Sequence, residues 1–125
     1  MNQYLIIALG AAVGANARYL VGVWAGNRFG ASFPYGTLAV NVTGSLMLGF
    51  VLALASTRLD IPAPVRLFLA VGFLGSYTTF SSYTVESLNL LLAGSFWAGL
   101  INMVGNNLIG LVCALAGLYL ARLLN

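Results

Sequence analysis

The chain of 125 residues has no histidine, one cysteine and only two acidic residues, Asp60 and Glu86. Without histidine, a zinc site with imidazole ligands, a Cys/His nucleophile pair and a serine–histidine triad are all excluded within one chain. The lone Cys113 lies in an apolar run and gives neither a disulfide nor a metal site. Lysine is absent too: the five basic residues are Arg18, Arg28, Arg58, Arg66 and Arg122. A net charge of +3, scattered in this way, is too small for a nucleic-acid surface. Charged residues make up 6% of the chain, against about 25% in a soluble domain. What fills the space instead is apolar: 61% of residues are hydrophobic and the mean hydropathy is +0.98. A soluble fold of this size could not hide so much apolar surface, so the solvent is a bilayer.

The N-terminus lacks a basic region and is followed by three further apolar segments, which argues against a cleavable signal. A membrane-crossing helix needs about 20 apolar residues, and four segments reach that length: 4–25, 36–55, 65–92 and 96–124. Residues 27–34 and 57–64 separate them with turn residues and prolines. The short Ala93-Gly94-Ser95 link predicts that the third and fourth spans pack as antiparallel neighbours. No linker is long enough to divide the chain. The expected fold is all-α, with residues 1–125 forming a single transmembrane domain of four helices. Four slender helices cannot enclose a roomy pathway, which predicts oligomerisation.

The third segment is the most informative. Gly72, Gly75 and Ser76 fall at mid-membrane depth, followed by a run of hydroxyls, Phe80 and Glu86. Lipid cannot satisfy free backbone groups, so irregular backbone at that depth must face protein or water. Intramembrane polar groups mark function by default. The segment reads as two half-helices meeting near Gly75–Thr78, where released backbone groups can bind ions. The alternative is a continuous helix whose glycines allow close packing. GxxxG spacings at Gly10/Gly14 and Gly22/Gly26 serve the same end in the first span.

Thr37, Asn41 and Ser45 recur at i, i+4, i+8 and share one face of the second helix. Asn41 is either an interhelical hydrogen bond, worth about 0.6 kcal/mol, or a donor along an anion path. In the third span Thr79, Ser82 and Glu86 share a face, and Phe80 and Tyr83 share its neighbour. Such hydroxyls often bond their own i−4 carbonyls, and such a ring pair often only packs. Yet ring edges carry positive quadrupole density, which suits an anion shedding water. Asn102, Asn106 and Asn107 bring three amides to the fourth span. Arg18, inside the first span, either snorkels to an interface or makes an electropositive vestibule. Donors are plentiful and carboxylates scarce, which favours an anion path. The arginine balance across the membrane is weak: Arg58, Arg66 and Arg122 on the N-terminal side against Arg28, with Arg18 added to the latter if it snorkels that way. By the positive-inside rule, so small a bias permits insertion both ways up.

Taken together, Gly14-Ala15-Asn16-Ala17-Arg18-Tyr19, Gly36-Thr37-Leu38-Ala39-Val40-Asn41 and the long segment from Gly72 to Glu86 resemble the small fluoride-channel family (Fluc, also called CrcB), over essentially the whole chain. The resemblance implies an antiparallel, dual-topology homodimer with two fluoride pores in a prokaryotic inner or plasma membrane. It implies a central sodium ion held by backbone carbonyls at positions matching Gly75 and Thr78. It matches Asn41 to the pore asparagine, Phe80 and Tyr83 to two pore phenylalanines, and Ser81 and Ser82 to a hydroxyl track. Arg18 and Glu86 match a conserved arginine and glutamate. The fourth-span polar track falls on Asn102 and Asn106, amides where hydroxyls are typical. Tyr83 stands for a phenylalanine and Ser76 for a second glycine. The Tyr83 hydroxyl must find a partner in a dry path, or stay unsatisfied at a cost of about 1–3 kcal/mol; the candidates are Asn102, Asn106 or the permeating ion.

The expected function is a passive, fluoride-selective channel, with Thr37 and Thr79 as vestibule or structural polar groups beside Arg18, Glu86 and Asn102. It is not an enzyme. Its partners are fluoride, lipid and a second copy of itself. A small proton-coupled exporter using Glu86, or a non-transporting assembly subunit, are the alternatives.

Overall fold

The computed structural model describes residues 1–57 and 60–124; Arg58, Leu59 and Asn125 lie outside the described residues, so Arg58 enters the arginine balance from sequence alone. All regular structure among the described residues is helical.

Helix α1 (Gln3–Phe29) begins where the Asn2 side chain accepts the Tyr4 N–H at 2.9 Å, satisfying one of the first turn's free donors. It ends at Gly30, whose φ of +83° lies in the left-handed region. The helix outruns the expected 4–25 because Asn27 and Arg28 continue it past the apolar stretch. Helix α2 (Tyr35–Ser56) starts directly after Pro34, which has no N–H to leave unpaired.

The third span is built in pieces. Helix α3 (Ala63–Arg66), a π-helical stretch (Leu67–Leu74) and α4 (Gly75–Tyr77) run on without interruption. The chain then breaks at Thr78–Thr79 and resumes as α5 (Phe80–Leu92). Gly94, also at φ +83°, turns the chain into α6 (Phe96–Arg122). Helices α1, α2 and α6 are each long and apolar enough to cross a membrane. The expected break is present at the C-terminal end of the expected 75–78 stretch: Gly75 is helical (φ −61°, ψ −30°), whereas Thr78 (ψ 160°) and Thr79 (φ −150°, ψ 123°) are extended.

The most extensive packing is α2 against α6, followed by α1 against the π-helical stretch and α5 against α6, the expected antiparallel pair. Backbones touch where glycines allow it. A Cβ on Gly14 would strike the Phe73 carbonyl, and one on Gly117 the Leu46 carbonyl. Lipid gives no hydrophobic drive between helices, so close van der Waals approach must hold them. The interior is accordingly small and polar: Thr79, Ser87, Asn102 and Asn106 are buried, around a small apolar cluster of Val40, Leu74 and Tyr77. Large apolar side chains such as Leu9, Leu108 and Leu111 face outward.

Candidate functional site

The break is held by one side chain. Asn41, on the inner face of α2, accepts the Thr79 N–H at 2.8 Å and donates to the Thr79 carbonyl at 2.9 Å. The amide thus mimics a neighbouring strand and pairs the backbone that left the helix. This meets the requirement that backbone at membrane depth be satisfied internally. It also has a consequence four residues earlier. In an unbroken helix the Thr79 N–H would close on the Gly75 carbonyl; captured by Asn41, it leaves that carbonyl without its donor. Thr79 repeats the effect downstream. As N-cap of α5 its hydroxyl accepts the Ser82 N–H at 3.2 Å, which in an unbroken helix would have gone to the Thr78 carbonyl. The break likewise parts the Ser76 and Tyr77 carbonyls from the N–H groups of Phe80 and Ser81, so the carbonyls of residues 75–78 all lose their helical donors.

From Asn41 an amide chain crosses the protein. Asn41 donates to Asn106 Oδ1 at 2.7 Å. Asn106 donates to the Asn102 carbonyl at 2.8 Å and to Asn102 Oδ1 at 2.9 Å. Asn102 donates to Ser87 Oγ at 2.9 Å and to the Tyr83 carbonyl at 3.4 Å. Ser87 donates to the same Tyr83 carbonyl at 2.6 Å. Every N–H of Asn41, Asn102 and Asn106 is therefore engaged. The chain ties α2, α5 and α6 together through buried groups that lipid could not satisfy.

A cavity of about 210 Å³ opens beside the break, lined by Asn41, Ser45, Thr78, Thr79, Phe80, Tyr83, Asn106 and Asn107 together with Leu48. Phe80 and Tyr83 meet edge to face, with centroids 5.1 Å apart and planes at 89°. The Tyr83 hydroxyl accepts an N–H from Asn107 at 3.2 Å. The expected phenol–amide contact exists, but its amide is Asn107 and not Asn102 or Asn106, because those two turn inward along the buried chain. Ser82 receives the Thr79 hydroxyl at 3.0 Å, and neither Ser81 nor Ser82 lines this cavity.

A second cavity of about 450 Å³ lies where α1 ends and α2 begins. Thr37 and Glu86 meet there, the Thr37 hydroxyl donating to Glu86 Oε1 at 2.8 Å, while Glu86 Oε2 is buried without a partner. The Thr37/Asn41/Ser45 face thus runs from one cavity to the other. Arg18 is half-buried on α1 and lines neither. Sequence reasoning missed the buried Ser87, and Tyr77, whose hydroxyl lies 3.0 Å from Thr43 Oγ1. Ser87 stands four residues after Tyr83, a spacing that could have flagged it; no sequence signal joins Thr43 to Tyr77.

Residues 5–118 match the family described as CrcB-like protein, Camphor Resistance (CrcB). A protein of Chloroflexus aurantiacus named fluoride-specific ion channel FluC is 48% identical over 122 residues, covering 98% of this chain and 97% of its own. A Roseiflexus protein of the same name is 47% identical over 120 residues, covering 96% of this chain and 97% of its own. One from Sulfurihydrogenibium is 46% identical over 124 residues, covering 99% of this chain and all of its own.

Proposed function

The chain belongs to the CrcB-like family, and we propose that it is a fluoride-selective ion channel through which fluoride leaves the cytoplasm by passive permeation. Nearly full-length likeness to proteins named fluoride-specific ion channels carries this reading. The chain is a multi-pass membrane protein of a prokaryote, and no bond is made or broken. The physical problem it solves is dehydration: a small, strongly hydrated anion must exchange water for protein donors in a narrow bore. The polar face from Thr37 and Glu86 to the cavity at the break offers such a route.

In the working form two copies lie antiparallel. The exposed Asn107 amide supports this, since polar groups at membrane depth need protein or water over them. A sodium ion sits between the copies. Among the carbonyls of residues 75–78, all parted from their helical donors, those of Gly75 and Thr78 are the ones the family resemblance matches to sodium, and neutral oxygens without a carboxylate suit a monovalent ion better than a divalent one. Two copies would supply four such carbonyls.

Purified protein in fluoride-loaded liposomes provides the test. Fast fluoride efflux down its gradient, exceeding chloride efflux and independent of a proton gradient, is expected. An obligatory proton counterflow would instead make Glu86 the coupling site of an exporter. Tight liposomes would point to an assembly subunit.

A further inference from the structure

The amide donors beside the cavity at the break are all engaged within the chain. All N–H groups of Asn41, Asn102 and Asn106 end on oxygens of the chain itself. Asn107 likewise divides its amide between the Tyr83 hydroxyl and the Met103 carbonyl, at 3.2 and 2.8 Å. An ion bound by any of them would first have to break a hydrogen bond in a medium that does not replace it.

Two hydroxyls on the same cavity are in the opposite state. Several hydroxyls on or beside these helices bond back to the carbonyl four residues earlier: Thr43 to Ala39, Thr78 to Leu74, Thr84 to Phe80 and Ser87 to Tyr83. Ser45 does not. It lines the cavity, its Oγ lies on the side of Gly110 where α6 leaves room, and its side chain has no hydrogen bond among the described residues. Ser76 and Ser81 also lack such a bond but line no part of this cavity. The second hydroxyl is Tyr83. Its oxygen accepts from Asn107, and its own hydrogen has no acceptor among the described residues. A phenolic O–H stays near its ring plane, with two orientations open to it. The Asn107 N–H disfavours the one that points at it, leaving the hydrogen directed elsewhere. We propose that the hydroxyls of Ser45 and Tyr83 are the anion-binding donors of this cavity, and that Asn107 is a positioning residue that aims the second.

This assignment deepens the reading of the chain as a fluoride channel and rests on it. The ligand is the small, strongly hydrated halide itself. The edge-to-face contact of Phe80 on Tyr83 holds the phenol ring in the plane this geometry needs.

Fluoride and chloride efflux are measured from liposomes carrying the wild type, Ser45→Ala, Tyr83→Phe, the double variant, Asn107→Leu, Asn107→Gln, and Asn107→Leu with Tyr83→Phe. Wild-type efflux comes first: without it the channel reading itself fails, separately from this inference. Losing a hydrogen bond to an anion should slow fluoride efflux by about tenfold in each hydroxyl variant, and by more in the double. Asn107→Leu should match Tyr83→Phe, add nothing to it, and be partly rescued by Asn107→Gln, outcomes that a purely structural role would not give. Wild-type rates in either hydroxyl variant overturn the donor pair. Multiplying effects of Asn107→Leu and Tyr83→Phe overturn the positioning role. Each variant is first checked for monodisperse elution and an unchanged melting temperature. Should Ser45→Ala fail that check, Ser45→Cys, a weak donor of similar volume, takes its place.

Discussion

At the scale of the residue, Asn41 does more for the backbone than a pore donor would need to. It pairs both backbone groups of Thr79 and anchors the amide chain through Asn106. Asn41→Ala should therefore lower stability as well as flux. Each orphaned group in a dry site costs about 1–3 kcal/mol, so a depressed melting temperature should accompany a severe loss of fluoride efflux. An unchanged melting temperature would remove the clamp. Phe80 makes the opposite case. It is largely exposed on the protomer and contributes a ring edge more than packing. Phe80→Ile keeps bulk and apolarity but loses that edge. Efflux should fall strongly with stability held, and a normal rate would dismiss the ring.

At the scale of the element, equal spacing in the sequence hides unequal roles. Gly10/Gly14 and Gly22/Gly26 are both GxxxG pairs on α1, yet a Cβ at Gly14 meets the Phe73 carbonyl and one at Gly26 meets nothing within 4 Å. Gly14→Ala should abolish or sharply reduce recovery of monodisperse protein, while Gly26→Ala should be recovered like the wild type; similar yields for both would contradict the packing of α1 on the π-helical stretch. The broken third span makes a second prediction. Its freed Gly75 and Thr78 carbonyls are the basis of the proposed sodium site. Prolonged exchange of sodium for a large organic cation should weaken activity or stability, slowly for a buried ion. Identical flux and melting after verified removal would argue against the ion.

At the scale of the whole molecule, the outward apolar surface and the thin polar interior suit lipid around the bundle, and the proposed second copy would cover the open cavity. If the copies are antiparallel, single cysteines placed at Ser32 and at Ala63, in a Cys113→Ser background, should each be labelled from both sides of intact cells. Strictly one-sided labelling would exclude that arrangement. The sequence by itself determined the solvent, the all-helical fold and the short turn between the last two helices. These follow from composition and from runs of apolar length, which are local and additive along the chain. It also carried the Thr37/Asn41/Ser45 face, because helical period is a property of the backbone alone. The exact seat of the break was not legible. The sequence placed it near residues 75–78, and only the reach of Asn41 from another helix shows where within that stretch the ladder stops. Nor could spacing say which asparagine meets Tyr83. Asn102, Asn106 and Asn107 are chemically alike, and the packing of α5 on α6 left two of them on the buried chain and one against the phenol. Hydrogen bonds join atoms in space, so the partner of each polar group was fixed only when the helices closed on one another.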